Sequence, residues 1–186
     1  MKASIFLMIA LCCFSCSEKK DFRTMNSAQL SALPDENLAF EIYDQVLTTI
    51  GEEGYSSIAS ALRSLTPGQR AICVAVGLDG EIQNGGFNQY YFNTTDYEAG
   101  LAEESFRLIG AAKYADIVKE ANTIYSQIKG DLESKDDGTL ESFSESYKDN
   151  PLNALDQKWY ELSPAESLDS IMLKYIRANS KDFAKD

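Results

Sequence analysis

The feature that most restricts the fold of this chain is the spacing of its apolar residues. After residue 34 they recur at i, i+3, i+4 and i+7 through nearly every segment, and no alternating run of strand length appears. Residues 35–50 place Ala39, Ile42, Tyr43, Val46 and Ile50 on one face and stop at Gly51, while Ile58, Ala61, Leu62 and Leu65 form a shorter stripe ending before Thr66-Pro67. Thr66-Pro67-Gly68-Gln69 has the composition of a capping box with proline at the first helical position. A strand is the rival reading of the continuous apolar run 71–76 that follows. The cap, and continuation through Leu78 and Ile82 to Asn84-Gly85, instead predict a helix buried on most of its circumference. Leu101 to Ile109 mark another helix, and a longer one runs from Tyr114 to Ile128, closed by Lys129-Gly130. Asn150-Pro151 opens a stripe of Leu152, Leu155, Trp159 and Leu162. Ser163-Pro164-Ala165-Glu166 reads as a second capping box, leading to Leu168, Ile171, Met172, Tyr175 and Ile176. The expected fold is all-α, a single compact domain over 34–186 with about seven or eight helices around a central buried one.

The first residues read as an address. Met1-Lys2 is a short basic start, Ile5 to Phe14 is apolar, and Ser15 precedes Cys16. The apolar run is roughly half the 20 or so residues a membrane span requires. Cys16 stands where bacterial lipoproteins carry the cysteine that is acylated after cleavage. The expectation is therefore a lipoprotein signal peptide over 1–15, lipid on Cys16, a flexible tether over 16–33, and a place in the cell envelope, at the outer membrane or its periplasmic face. Cys12 and Cys13 leave with the leader, so Cys73 remains as the one free thiol and no intrachain disulfide can form. Inside an apolar run, Cys73 reads as a small buried hydrophobe.

Charge removes several function classes. The chain has 17 Lys plus Arg against 29 Asp plus Glu, a net −12, and loss of Lys2 with the leader makes it one unit more negative. Such a chain does not hold nucleic acid or an anionic membrane surface by charge. With no histidine, Ser-His-Asp and Cys-His pairs and His-bearing metal sites are excluded. Seven acids, Asp131, Glu133, Asp136, Asp137, Glu141, Glu145 and Asp149, face two lysines between residues 131 and 150. This segment reads as an exposed acidic surface, either a solvated loop or a patch that recognises a basic partner protein. An EF-hand fails there, because Lys135 falls at a ligand position and Ser144 where a bidentate Glu is required. Neither metal nor cofactor is expected.

One motif is unlike the rest. Glu81-Ile82-Gln83-Asn84-Gly85-Gly86-Phe87-Asn88-Gln89-Tyr90-Tyr91-Phe92-Asn93 gathers amide side chains, aromatic rings and two adjacent glycines. Asn84 and Gly85 suit the left-handed conformation that ends a helix, Gly86 permits close approach, and Phe87, Tyr90 and Tyr91 then share a face of a short second helix. A tight helix-helix corner with polar groups at the bend is predicted. Gly80-x4-Gly85 is not a phosphate loop, since Gly86-Phe87 stands where Lys-Ser/Thr is needed. Glu81 is a lone carboxylate; a hydrolase using it needs a second acid that spacing does not identify.

Asn84-Gly85-Gly86-Phe87-x-Gln89-Tyr90-Tyr91-x-Asn93, with Glu81 upstream and Ile109-Gly110-Ala111 beyond, resembles the signature of a bacterial DNA-mimic protein family. The likeness spans residues 36 to 130, and the tail from Asp131 to Asp186 has no matching motif. The resemblance implies an all-α, acidic, non-enzymatic protein, a homodimer, that occupies the DNA-binding face of another protein. The net charge of the cleaved chain matches that of roughly 22 Å of duplex. The leader places the partner outside the cytosol. The reading is a non-enzymatic acidic envelope lipoprotein that binds a basic protein; the alternatives are an immunity-type inhibitor of a basic toxin or nuclease, and a hydrolase using Glu81.

Overall fold

The computed structural model describes residues 25–53 and 58–185, with side chains described outside 49–57. The leader and Cys16 lie outside the described residues. Among those described, nine α-helices follow one another without a strand: α1 (Ser27–Ser31), α2 (Leu38–Glu53), α3 (Ile58–Ser64), α4 (Pro67–Asn93), α5 (Asp96–Leu108), α6 (Ala112–Lys135), α7 (Leu140–Glu145), α8 (Asn153–Leu162) and α9 (Leu168–Ala178). A 3-10 turn, Ser180–Asp182, ends the series. The fold is all-α, with one or two helices more than expected.

As the apolar run 71–76 implies, α4 lies at the centre, packed by α2, α5 and α8. Its start is the predicted capping box: Gln69 N donates to Thr66 Oγ1 at 3.2 Å, and Thr66 N donates to Gln69 Oε1 at 3.2 Å. Thr66 Oγ1 also donates to Asp182 O at 2.8 Å, tying the end of the chain to the start of the central helix. Cys73 is buried, and desolvation pushes its thiol up to about 12, so it packs as a small hydrophobe and is not a nucleophile.

Around α4 the largest core residue is Trp159, which is fully buried. Tyr114, Phe106 and Phe87 present to it at centroid distances of 4.7, 5.5 and 5.7 Å, all edge-on, the geometry that ring quadrupoles favour. Its indole Nε1 donates to Asp79 Oδ1 at 2.9 Å, so the one polar atom of the ring is satisfied.

Several boundaries differ from expectation, each for a physical reason. Neither Gly51 nor Gly130 ends its helix, since α2 reaches Glu53 and α6 reaches Lys135. A helical glycine costs only about 1 kcal/mol. The extension of α6 is supported by the i,i+4 pairs Lys129–Glu133 and Asp131–Lys135. The stretch 163–166 is not a cap: Ser163 closes α8, Ser167 caps α9 by accepting from Ser170 N, and the Glu166 carboxylate pairs with Lys113 at 2.8 Å. Residues 131–150 are less of a loop than expected, because α6 runs into them and Thr139 caps α7. Part of the expected tether is packed. Asn26 and Gln29 form a reciprocal cap on α1, and Met25 and Leu30 are buried in the core.

That packing gives a direct test. Leu30→Ala is expected to lower unfolding free energy by about 2–5 kcal/mol in a denaturant titration, as for any truncated core leucine, whereas a tether residue would leave the transition unmoved.

Candidate functional site

The motif 81–93 sits on α4 where that helix breaks. Gly85 has φ −160° and ψ 22°, and Gly86 has φ 72° and ψ −174°, a region open essentially to glycine alone. The left-handed residue is therefore Gly86, and not Asn84 or Gly85 as the sequence suggested. A Cβ on Gly86 would also lie 2.3 Å from Asp156 Oδ2. Steric room and backbone angle both demand glycine at this one position.

A break inside a helix leaves amides and carbonyls without axial partners, and here three side chains from α8 and the link before it supply them. Phe87 N donates to Asp156 Oδ1 at 2.8 Å, so a carboxylate stands at the positive end of the second half of α4. Tyr160 Oη donates to Ile82 O at 2.7 Å, and Tyr147 Oη donates to Gly85 O at 2.9 Å. Burial raises the Asp156 carboxyl above its ordinary value, and the bond from Phe87 N works against that rise.

The motif amides close the same corner from within. Glu81 Oε2 accepts from Gln89 Nε2 at 2.8 Å and from Asn93 Nδ2 at 2.9 Å, bridging the two halves of α4. Asn88 is buried; it donates to Ser146 Oγ at 2.7 Å and accepts from Asn150 Nδ2 at 2.9 Å, while Asn150 Oδ1 accepts from Leu152 N. Tyr91 stacks on Tyr125 at 3.9 Å and donates to Asn122 Oδ1. Asn84 is exposed and Phe87 is in the core.

Tyr90 is the exception to this satisfaction. The residue is buried, and its hydroxyl has no hydrogen-bond partner among the described residues. Tyr90 lines a cavity of about 110 Å³ together with Tyr43, Cys73, Glu81 and Glu98. Glu98 is the other carboxylate in that lining. It is already the cap residue of α5, accepting from Thr95 N and Thr95 Oγ1, and Glu81 is held by the two amides. Among the described residues no three Cys, Asp or Glu side chains are grouped to hold a metal ion.

The acidic segment 131–149 lies on the end of α6, on α7 and in the links beside them. All seven of its acids are exposed. Asp131 pairs with Lys135, Glu145 with Lys148, and Glu133 with Lys129; Asp136, Asp137, Glu141 and Asp149 make no ion pair among the described residues. Together with Tyr91, Phe92 and Phe143 several of these acids line an open groove of about 850 Å³.

Comparison with known proteins returns one family model, that of the DMP19-like protein, which matches residues 63–179. No curated protein and no solved structure matches the chain. The match starts in α3, ends just after α9, and takes in the glycine break and every side chain that closes it. It extends well past residue 130, where the sequence likeness stopped. The tail as far as residue 179 is therefore covered by the family model too, and its Tyr147, Asp156 and Tyr160 are what the motif rests on.

Two sets of variants test this corner. Gly86→Ala is expected to cost at least about 3 kcal/mol by denaturation, from forbidden angle and clash together. Gly85→Ala, where the opposing atoms belong to the Gln89 side chain, is expected to cost clearly less. Asp156→Ala is expected to cost about 1–3 kcal/mol through the unmet Phe87 amide, and Asp156→Asn less. Because the folded carboxyl titrates above its unfolded value, its contribution is greatest when protonated and is lost as pH rises through that window. Stability of the wild type relative to Asp156→Asn should therefore fall as pH rises from the ordinary carboxylate range through the raised value of the folded carboxyl.

Proposed function

The chain belongs to the DMP19-like protein family, a family of DNA mimics, and from that premise we propose that it is a non-enzymatic envelope lipoprotein whose carboxylates dock on a basic partner protein in place of a nucleic acid. The observation that carries the reading is the display of charge on 131–149: seven exposed acids, of which Asp136, Asp137, Glu141 and Asp149 make no ion pair among the described residues. Carboxylates held at the surface of a helical frame attract a cationic face over a Debye length and set the approach of the partner. The aromatic floor of the adjoining groove, with Phe92 and Phe143 rings 4.6 Å apart, supplies apolar area for the bound state.

The proposed location rests on residues 1–16, with lipid on Cys16. An exported DNA mimic meets proteins of the envelope or arriving from outside. That favours, as a second reading, an inhibitor that covers the DNA-binding cleft of a basic toxin or nuclease.

Neither reading requires turnover. Glu81 and Glu98 are both engaged in hydrogen bonds that hold the fold, and Cys73 is buried and protonated.

The test is capture of an envelope partner by the mature protein, followed by titration. Affinity for that partner should fall at least about tenfold between about 50 and about 300 mM salt, fall when Asp136, Asp137, Glu141 and Asp149 are changed together to Asn or Gln, and be competed by duplex DNA. Binding that ignores salt, the four substitutions and the duplex would overturn the reading. Cys16→Ala should abolish fatty-acid labelling and release the protein from the membrane fraction.

A further inference from the structure

The open groove of about 850 Å³ follows α6 from Tyr125 to Lys135, a run of about 15 Å at 1.5 Å per residue. On the α6 side its lining is the stripe Tyr125, Ile128 and Leu132, at i, i+3 and i+7, each half-buried. Opposite stand Phe92, 53% exposed at the end of α4, and the half-buried Phe143 of α7. Polar groups between them are already engaged, since Asn88, Ser146 and Asn150 bond to one another. The charged groups are different. Three lysines of the lining are each met by an acid at 2.6 Å: Lys129 by Asp96, Lys135 by Asp131 and Lys148 by Glu145. Three further carboxylates line the same space. Glu133 reaches Lys129 only at 3.7 Å, and Asp136 and Asp149 make no ion pair among the described residues.

We propose that this groove seats a short cationic amphipathic helix of the partner protein, its apolar face on Ile128, Leu132, Phe92 and Phe143 and its lysines or arginines on the rim acids. The inference deepens the reading of an acidic docking protein and rests on it. Charge selects the occupant: an excess of three carboxylates around apolar surface suits a segment that is basic on its flanks and apolar on one face. Backbone chemistry selects its form. Among the described residues there is no strand, so an extended segment finds no sheet edge and leaves its amides and carbonyls unpaired over an aromatic floor. A helix satisfies its own backbone and brings only side chains to the groove. A run of about 15 Å accommodates roughly three turns of it.

The probe is a capped leucine-lysine peptide of about fourteen residues with leucines at i, i+3, i+4 and i+7, long enough to form a helix on the surface. Its control has the same composition and charge in scrambled order, without an apolar face. Both are titrated into the isotope-labelled full-length chain with amide shifts as readout. Two sets of substitutions isolate the groove. Phe92→Ala with Leu132→Ala strips apolar area from both sides, and alanine keeps the helices. Glu133→Gln, Asp136→Asn and Asp149→Asn together remove the excess charge, and asparagine suits the left-handed backbone at Asp149, where φ is 52°. Glu36→Gln, Glu104→Gln and Glu161→Gln remove as many charges from exposed positions outside the groove. Expected are saturable shifts at Phe92, Ile128, Leu132 and Phe143, and binding at least about tenfold tighter than that of the scrambled peptide. Affinity should weaken about tenfold in each groove set and less than about threefold in the outer set, whose charges are screened. The charge set lies wholly on exposed residues, so it decides the matter even where the apolar pair is destabilised. Shifts that spare the groove, or wild-type affinity in both groove sets, overturn the proposal. Equal, salt-sensitive binding of the two peptides overturns the helix seat and leaves the acidic docking surface standing; absence of binding by either overturns both.

Discussion

A carboxylate facing a broken helix holds this structure together. In α4 the two glycines turn the chain, and the Phe87 amide is met by Asp156, which comes from a helix 69 residues further on. Tyr160 and Tyr147 reach the carbonyls of Ile82 and Gly85 across similar separations. Asn88 and Asn150 join the link before α8 to the same place. The corner is therefore a meeting of two distant parts of the chain, and neither half makes it alone. The aromatic cluster on Trp159, which lies on the same helix as Asp156 and Tyr160, is positioned by the same contacts.

What the residues disclosed in advance depends on the range of the interactions. The Thr66 cap, the burial of 71–76, the break near Gly85 and the all-α class are local or periodic, and they were legible. Gly51, Gly130 and 163–166 were misread because a glycine or a cap-like tetrad states a preference worth about 1 kcal/mol, and Lys113 or an i,i+4 pair decides otherwise. Asp156, Tyr147 and Tyr160 carry no signal at all in sequence, because a side chain that satisfies a backbone group 60 to 80 positions away looks like any surface polar residue. The acids of 131–149 were visible as a count, but their pairing depended on helical register, which put three of them beside lysines.

Negative charge on this protein thus comes in two arrangements. Around 131–149 it is dense, exposed and partly balanced by lysines, an arrangement suited to long-range attraction. Around Glu81 and Glu98 it is sparser and beside apolar walls, and among the described residues no lysine or arginine is in the lining. Thr94 lines both the groove of the first and the cavity of the second, so the two regions meet at the end of α4.

The first and last described residues are also joined. Lys185 N donates to Met25 O at 2.7 Å, and Arg177 reaches Leu30 O, Leu33 O and Asp35 from α9. A pull applied at residue 25 is met by this clasp before it reaches α4. The bonds share the load in parallel and include a guanidinium that grips two carbonyls and a carboxylate at once. Drag on the domain from its amino-terminal side is borne first by the seam between residues 25 and 185 and by the Arg177 grip, which spread it over α9 and the segment around α1.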